Sequence, residues 1–97
     1  MKVKVFRVYM MESEHHLKKV LKVLHDEVKV THATVFRGME GFEKGGEVHD
    51  SQILSLSLDL PLIVEFFDAP ENADRAAEKI KGIIEKGHII SFAADLD

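Results

Sequence analysis

Two apolar stripes at helical spacing, each preceded by a strand-like run, constrain this chain more than anything else in it. Leu17, Val20, Leu21, Leu24 and Val28 recur at steps of three and four, while Lys18, Lys22, Asp26 and Lys29 fall on the opposite side. Ser13 is the expected N-cap of this first helix. Ala73, Ala76, Ala77, Ile80, Ile83 and Ile84 form the second stripe, with Pro70 suited to its first turn and Gly87 expected as its C-terminal stop.

Between and around the helices lie the strand patterns. Val3 to Met11 and Ala33 to Arg37 are rich in β-branched and apolar residues. Leu54 to Leu60 alternates strictly, Pro61 interrupts the ladder, Leu62 to Phe67 is strongly apolar, and His88 to Ala94 ends the order. Strand–helix–strand–strand–helix–strand is the split βαβ arrangement, an α+β ferredoxin-like antiparallel sheet with two helices on one face. Residues 1–97 are read as a single domain. No linker, repeat or low-complexity tract divides them.

This topology leaves one face of the sheet without helices. Phe6, Val8 and Met10 alternate with Val3, Val5 and Tyr9, and Leu62, Val64 and Phe66 alternate with Ile63 and Phe67, so both faces are apolar. The second face is therefore expected to pack against further copies of the chain. Arg7 and Glu65 are its charged exceptions, either paired across neighbouring strands or solvated at a sheet edge.

Composition narrows the function classes. With no cysteine among 97 residues, disulfide scaffolds, thiolate metal sites and cysteine nucleophiles are excluded. Gln52 and Asn72 are the only side-chain amides, which with many Lys and Glu leans toward a thermophilic source. The first residues read as a strand and not as a secretory signal, and no apolar run is long enough to span a bilayer, so a cytoplasmic protein without membrane insertion is expected. From Val30 to Asp74 the only Lys or Arg residues are Arg37 and Lys44, which opposes nucleic-acid binding.

The most functional-looking segment runs from Gly38 through Gly41, Phe42, Glu43, Lys44, Gly45 and Gly46 to His49 and Ser51. It matches neither a Walker loop nor a dinucleotide fingerprint. It is either a plain hairpin connection or a loop that meets a ligand or partner, with Arg37 and Lys44 as its positive charges. The six histidines show no metal-ligand spacing: His15 and His16 are adjacent and diverge on a helix, and His49-Asp50 stands alone. No nucleophile elbow or acid–base pair is assembled, so no enzyme activity is expected.

Ala33-Thr34-Val35-Phe36-Arg37-Gly38, then Gly41-Phe42, then Leu56-Ser57-x-Asp59-Leu60-Pro61-x-x-Val64-Glu65 and Asp68, resemble the uncharacterised PII-like family related to nitrogen-regulatory PII signal proteins. The first strand through Tyr9 and Glu12-Ser13 fit as well. The resemblance implies a trimer that binds an adenine nucleotide or similar small anion between subunits. It places Arg37, Gly38, Gly41, Phe42 and Lys44 at the ligand, and Glu43, Gly45, Gly46 and His49 in a 38–51 loop facing a protein partner. The family's Gly-Lys-Pro helix start, PII's second glycine-rich phosphate loop and PII's modified tyrosine have no counterpart here. Two other readings stand beside this one: a metal-handling trimer similar to the divalent-cation tolerance proteins, and a small ferredoxin-like enzyme.

Overall fold

The computed structural model describes residues 1–42, 48–50 and 59–97, with only the backbone of His49 and Asp50 described. The expected strand over 54–60 lies mostly outside them. Strand β1 (Lys2–Met11) leads through a single 3-10 turn (Glu12–Glu14) into α1 (Leu17–Lys22). The helix continues over Val23–Val28 with π-type hydrogen bonding and ends at Lys29, which is left-handed with φ 58°. An α-helix would turn Val23 and Val28 about 140° apart; the wider i→i+5 winding keeps both, with Leu24, on the buried side.

Next come β2 (His32–Arg37), a two-residue ribbon of β3 (Glu40–Gly41) with β4 (His49–Asp50), then β5 (Pro61–Asp68), α2 (Pro70–Ile80) and β6 (Ile89–Asp95). The main sheet is antiparallel in the order β2-β5-β1-β6, as the split βαβ reading requires. Pro61 opens β5, opposite Met11. No described helix is long and apolar enough to cross a membrane.

Two boundary expectations are corrected. Ser13 does not cap α1: its amide and hydroxyl both donate to the Asp59 carboxylate at 2.9 Å, and α1 starts after His16 without a side-chain cap. The second helix stops at Ile80, not at Gly87. Tightened i→i+3 turns follow, Gly82 N–H to Lys79 O (3.2 Å) and Ile83 N–H to Ile80 O (2.8 Å), and Ile84 N–H also donates to Ile80 O at 3.0 Å. Ile84 stays buried beyond the helix, which is why the stripe looked continuous, and Gly87 instead supplies a φ of 91° in the turn before β6.

The core lies on one face of the sheet. Phe6, Val8 and Met10 of β1 and Leu62, Val64 and Phe66 of β5 pack on Val20, Leu24 and Val28 and on Ala73, Ala76, Ala77 and Ile80. Phe6 and Phe66, directly opposite in register, stack with centroids 5.2 Å apart. Ala73, Ala76 and Ala77 put small side chains on the buried side of α2.

The other face carries rows of cross-strand neighbours: His32, Phe67, Val5 and Phe92; then Thr34, Glu65, Arg7 and Ile90; then Phe36, Ile63 and Tyr9. Arg7 and Glu65 do pair, Nε to Oε1 at 2.9 Å, and the guanidinium sits 5.2 Å over the Phe92 ring. His32 stacks on Phe67 at 4.9 Å. Phe36, Ile90 and Phe92 remain 49%, 48% and 40% exposed. The second apolar face is thus real and uncovered in a single chain.

Candidate functional site: the base of the 38–60 connection

Three elements end at one corner of the sheet. Met11 of β1 stands opposite Pro61 of β5, and Arg37 of β2 stands opposite Leu62, so the residues just beyond each strand meet. Gly38 N–H donates to Pro61 O at 2.7 Å, and Glu12 N–H donates to Leu60 O at 3.0 Å. A Cβ on Gly38 would lie 2.7 Å from Pro61 Cγ, and one on Gly41 would lie 3.0 Å from the same atom. The proline ring therefore requires a glycine at 38, whatever else that glycine does, and at 41 a side chain would need the ring to give by a few tenths of an ångström.

Side chains close the corner. Glu12 Oε1 accepts Arg37 Nε–H at 2.8 Å and lies 2.7 Å from a terminal guanidinium nitrogen. The same oxygen accepts the Leu60 N–H at 3.3 Å. Asp59 takes the Ser13 amide and hydroxyl. Arg37 is thus not a bare positive charge, as the sequence implied; its guanidinium is held by a carboxylate, with 47% of the side chain still exposed. Phe42 and Met39, which follow Arg37 in the chain, are 67% and 73% exposed. Lys44, Glu43, Gly45 and Gly46 lie outside the described residues. His49 is placed only as a β4 backbone position opposite Gly41.

A second cluster sits at the far end of β5. Burial pushes the Asp68 carboxyl up, but hydrogen bonds from Asn72 Nδ2 (2.6 Å), the Ala69 amide (2.7 Å) and Thr31 (Oγ1 2.9 Å, amide 3.2 Å) outweigh it and hold it below its ordinary value. These bonds tie the loop after α1, the end of β5 and the start of α2 together.

The sequence reading missed the turn between α2 and β6. A cavity of about 420 Å³ is lined there by Lys81, Ile84, Glu85, Lys86, Gly87 and Ile89. Two lysines within six residues of Gly87 were the available signal. Since Tyr9 N–H bonds to His88 O, this turn lies at the same end of the sheet as Arg37 but beyond the opposite edge. Three strand spacings, roughly 14 Å, separate the two edges. Among the described residues no three His, Asp or Glu side chains converge in a way that could hold a metal ion.

The order of the sheet, the helix-free apolar face and the clasp at the strand ends define a PII-like ferredoxin fold. The chain belongs to the DUF190 family, described as an uncharacterized ACR, whose profile matches residues 3–96. It is 32% identical over 94 residues to a UPF0166 protein of Methanocaldococcus jannaschii, covering 92% of this chain and 85% of that one. With a UPF0166 protein of Aquifex aeolicus it shares 34% identity over 85 residues, 84% and 81% of the two chains. Among solved structures, CPII, a nitrogen regulatory PII-like protein from Thiomonas intermedia, superposes with a TM-score of 0.70 at 14% identity over 99% of this chain and 87% of that one. GlnK of B. subtilis gives 0.63 at 14% identity over 97% and 84%. The divalent ion tolerance protein CutA1 from Ehrlichia chaffeensis gives 0.61 at 10% identity over 97% and 80%. At these identities the structural likeness establishes the fold.

Proposed function

We propose that this chain is a cytoplasmic, ligand-responsive regulatory module of the PII-like kind and not an enzyme. It works as a homotrimer that binds an adenine nucleotide or similar small anion between subunits. The observation that carries this is the placement of Arg37, Gly38, Gly41 and Phe42 at the end of an edge strand, beside an apolar sheet face that a single chain leaves open. A ring of copies that joins the β2 edge of one to the β6 edge of the next brings Arg37 of one copy toward Lys81 and Lys86 of its neighbour. Those cations suit the phosphates of a nucleotide, with Lys44 as a further one. Occupancy is relayed to a protein partner through residues 38–51, including Glu43, Gly45, Gly46 and His49. Two structures of like fold support the ligand class: the CPII structure is bound to ADP, AMP and bicarbonate, and the GlnK structure is a complex with ATP.

Native mass spectrometry of the purified protein, followed by calorimetric titration with ATP, ADP and AMP, tests this. A trimer that binds one of them, with affinity lost in Arg37→Ala, is the expected result. Unchanged affinity in Arg37→Ala refutes the site. The likeness to CutA1 favours a second reading, a metal-handling trimer. Stoichiometric divalent metal retained after dialysis and lost in His49→Ala would select it instead.

A further inference from the structure

We propose that Glu12 is an internal competitor for the anion at Arg37, so that ligand binding exchanges one carboxylate for a phosphate and releases one end of the 38–60 connection. The proposal rests on the reading of Arg37 as an anion-binding residue. Its geometric basis is that Glu12 occupies the Nε and terminal-nitrogen edge of the guanidinium, the edge that takes a planar or tetrahedral oxyanion in two parallel bonds. An oxyanion that binds there must displace Glu12. One that binds elsewhere on Arg37 keeps a like charge within a few ångströms, half-desolvated, which opposes it.

The exchange has a built-in readout. Glu12 Oε1 also accepts the Leu60 N–H, and Leu60 is the last residue before β5. When Glu12 leaves Arg37, that 3.3 Å bond is loosened, while the backbone bond from Glu12 N–H to Leu60 O and the Gly38–Pro61 bond keep the strands in register. The corner thus has one part that responds to the ligand and one that does not. Competition also confers selectivity: a monocarboxylate merely replaces a carboxylate, whereas a phosphate chain with several charges gains on exchange.

The test uses the full chain and two probes, ATP and inorganic tripolyphosphate. Glu12→Gln keeps an oxygen for Leu60 and Arg37 but removes the charge, and a thermal melt establishes that it folds. Expected are about tenfold tighter binding of both probes in Glu12→Gln, equivalent to about 1.4 kcal/mol, and no tightening in Glu12→Gln/Arg37→Ala. In the wild type, the Leu60 amide resonance should move with anion saturation. Equal or weaker binding in Glu12→Gln means that Glu12 orients Arg37 and overturns the competition. Tripolyphosphate binding in the expected pattern without ATP binding refutes the nucleotide reading and leaves the competition standing. Neither probe binding to Glu12→Gln overturns both.

Discussion

Asp68 offers the sharpest test of how this fold is held, because four donors from the loop after α1 and the start of α2 converge on its carboxylate at the end of β5. In Asp68→Ala the Ala69 amide and the Asn72 side chain, both partly buried, lose their acceptor, while the two Thr31 donors are exposed and can turn to water. Hydrogen bonds to a charged group contribute about 1.5–3 kcal/mol each when shielded and much less when solvated. The carboxylate also faces the first turn of α2, worth about 0.3–1 kcal/mol. Discounted for partial exposure, the total is about 2–3 kcal/mol for Asp68→Ala, and about half of that for Asp68→Asn, which keeps one acceptor oxygen. The pH dependence follows from the lowered carboxyl. A carboxylate held below its unfolded value near 3.9 stabilises the fold fully above that pH and loses the contribution as pH falls through the native value. Urea midpoints of wild type and Asp68→Asn, at one protein concentration, should therefore differ at pH 7 and converge toward pH 2. A gap at pH 7 below about 0.5 kcal/mol refutes the argument, as does a gap of constant size across that range.

Two further outcomes follow from packing. Gly38→Ala places a Cβ 2.7 Å from a rigid proline ring and should cost about 1–3 kcal/mol in a urea melt; wild-type stability would mean the corner yields freely. Ile90→Glu sits on the open face, is 48% exposed in one chain, and should leave the protomer folded while sedimentation velocity shows monomers, against the trimer proposed for the wild type. A trimeric Ile90→Glu, or a wild type that is monomeric at micromolar concentration, rejects the open face as the assembly surface.

Most of the architecture was legible because it is periodic. Stripes at three and four, and alternation at two, report which way each residue faces, and both faces of β1 and β5 were readable as apolar for that reason. What failed were boundaries decided at long range. Ser13 has the chemistry of a helix cap, yet Asp59, 46 residues away, takes both of its donors. Ile83 and Ile84 continue the periodicity of α2 because burial persists where the regular helix has given way to tighter turns, so no local pattern marks Ile80 as the end.

The candidate site was half legible in a more instructive way. Arg37, Gly38 and Gly41 stood out as residue types, but nothing in the sequence linked them to their partners, Glu12, seen only in a family motif, and Pro61, read as a strand interruption. One pairing would have connected them. Arg7 opposite Glu65, with Thr34 on the far side of Glu65, fixes the register of β1, β5 and β2 together. Counting four residues along each strand from that row reaches Met11, Pro61 and Gly38. The next residues on β1 and before β5 are Glu12 and Leu60, beside Arg37 as it leaves β2. An ion pair on the open face therefore sets, by strand geometry alone, which carboxylate can reach Arg37. A one-residue slip in β1 would send Glu12 to the opposite face and leave the guanidinium without it. The charged pair that looks out of place among apolar side chains and the clasp that holds the candidate ligand residue are thus consequences of a single register.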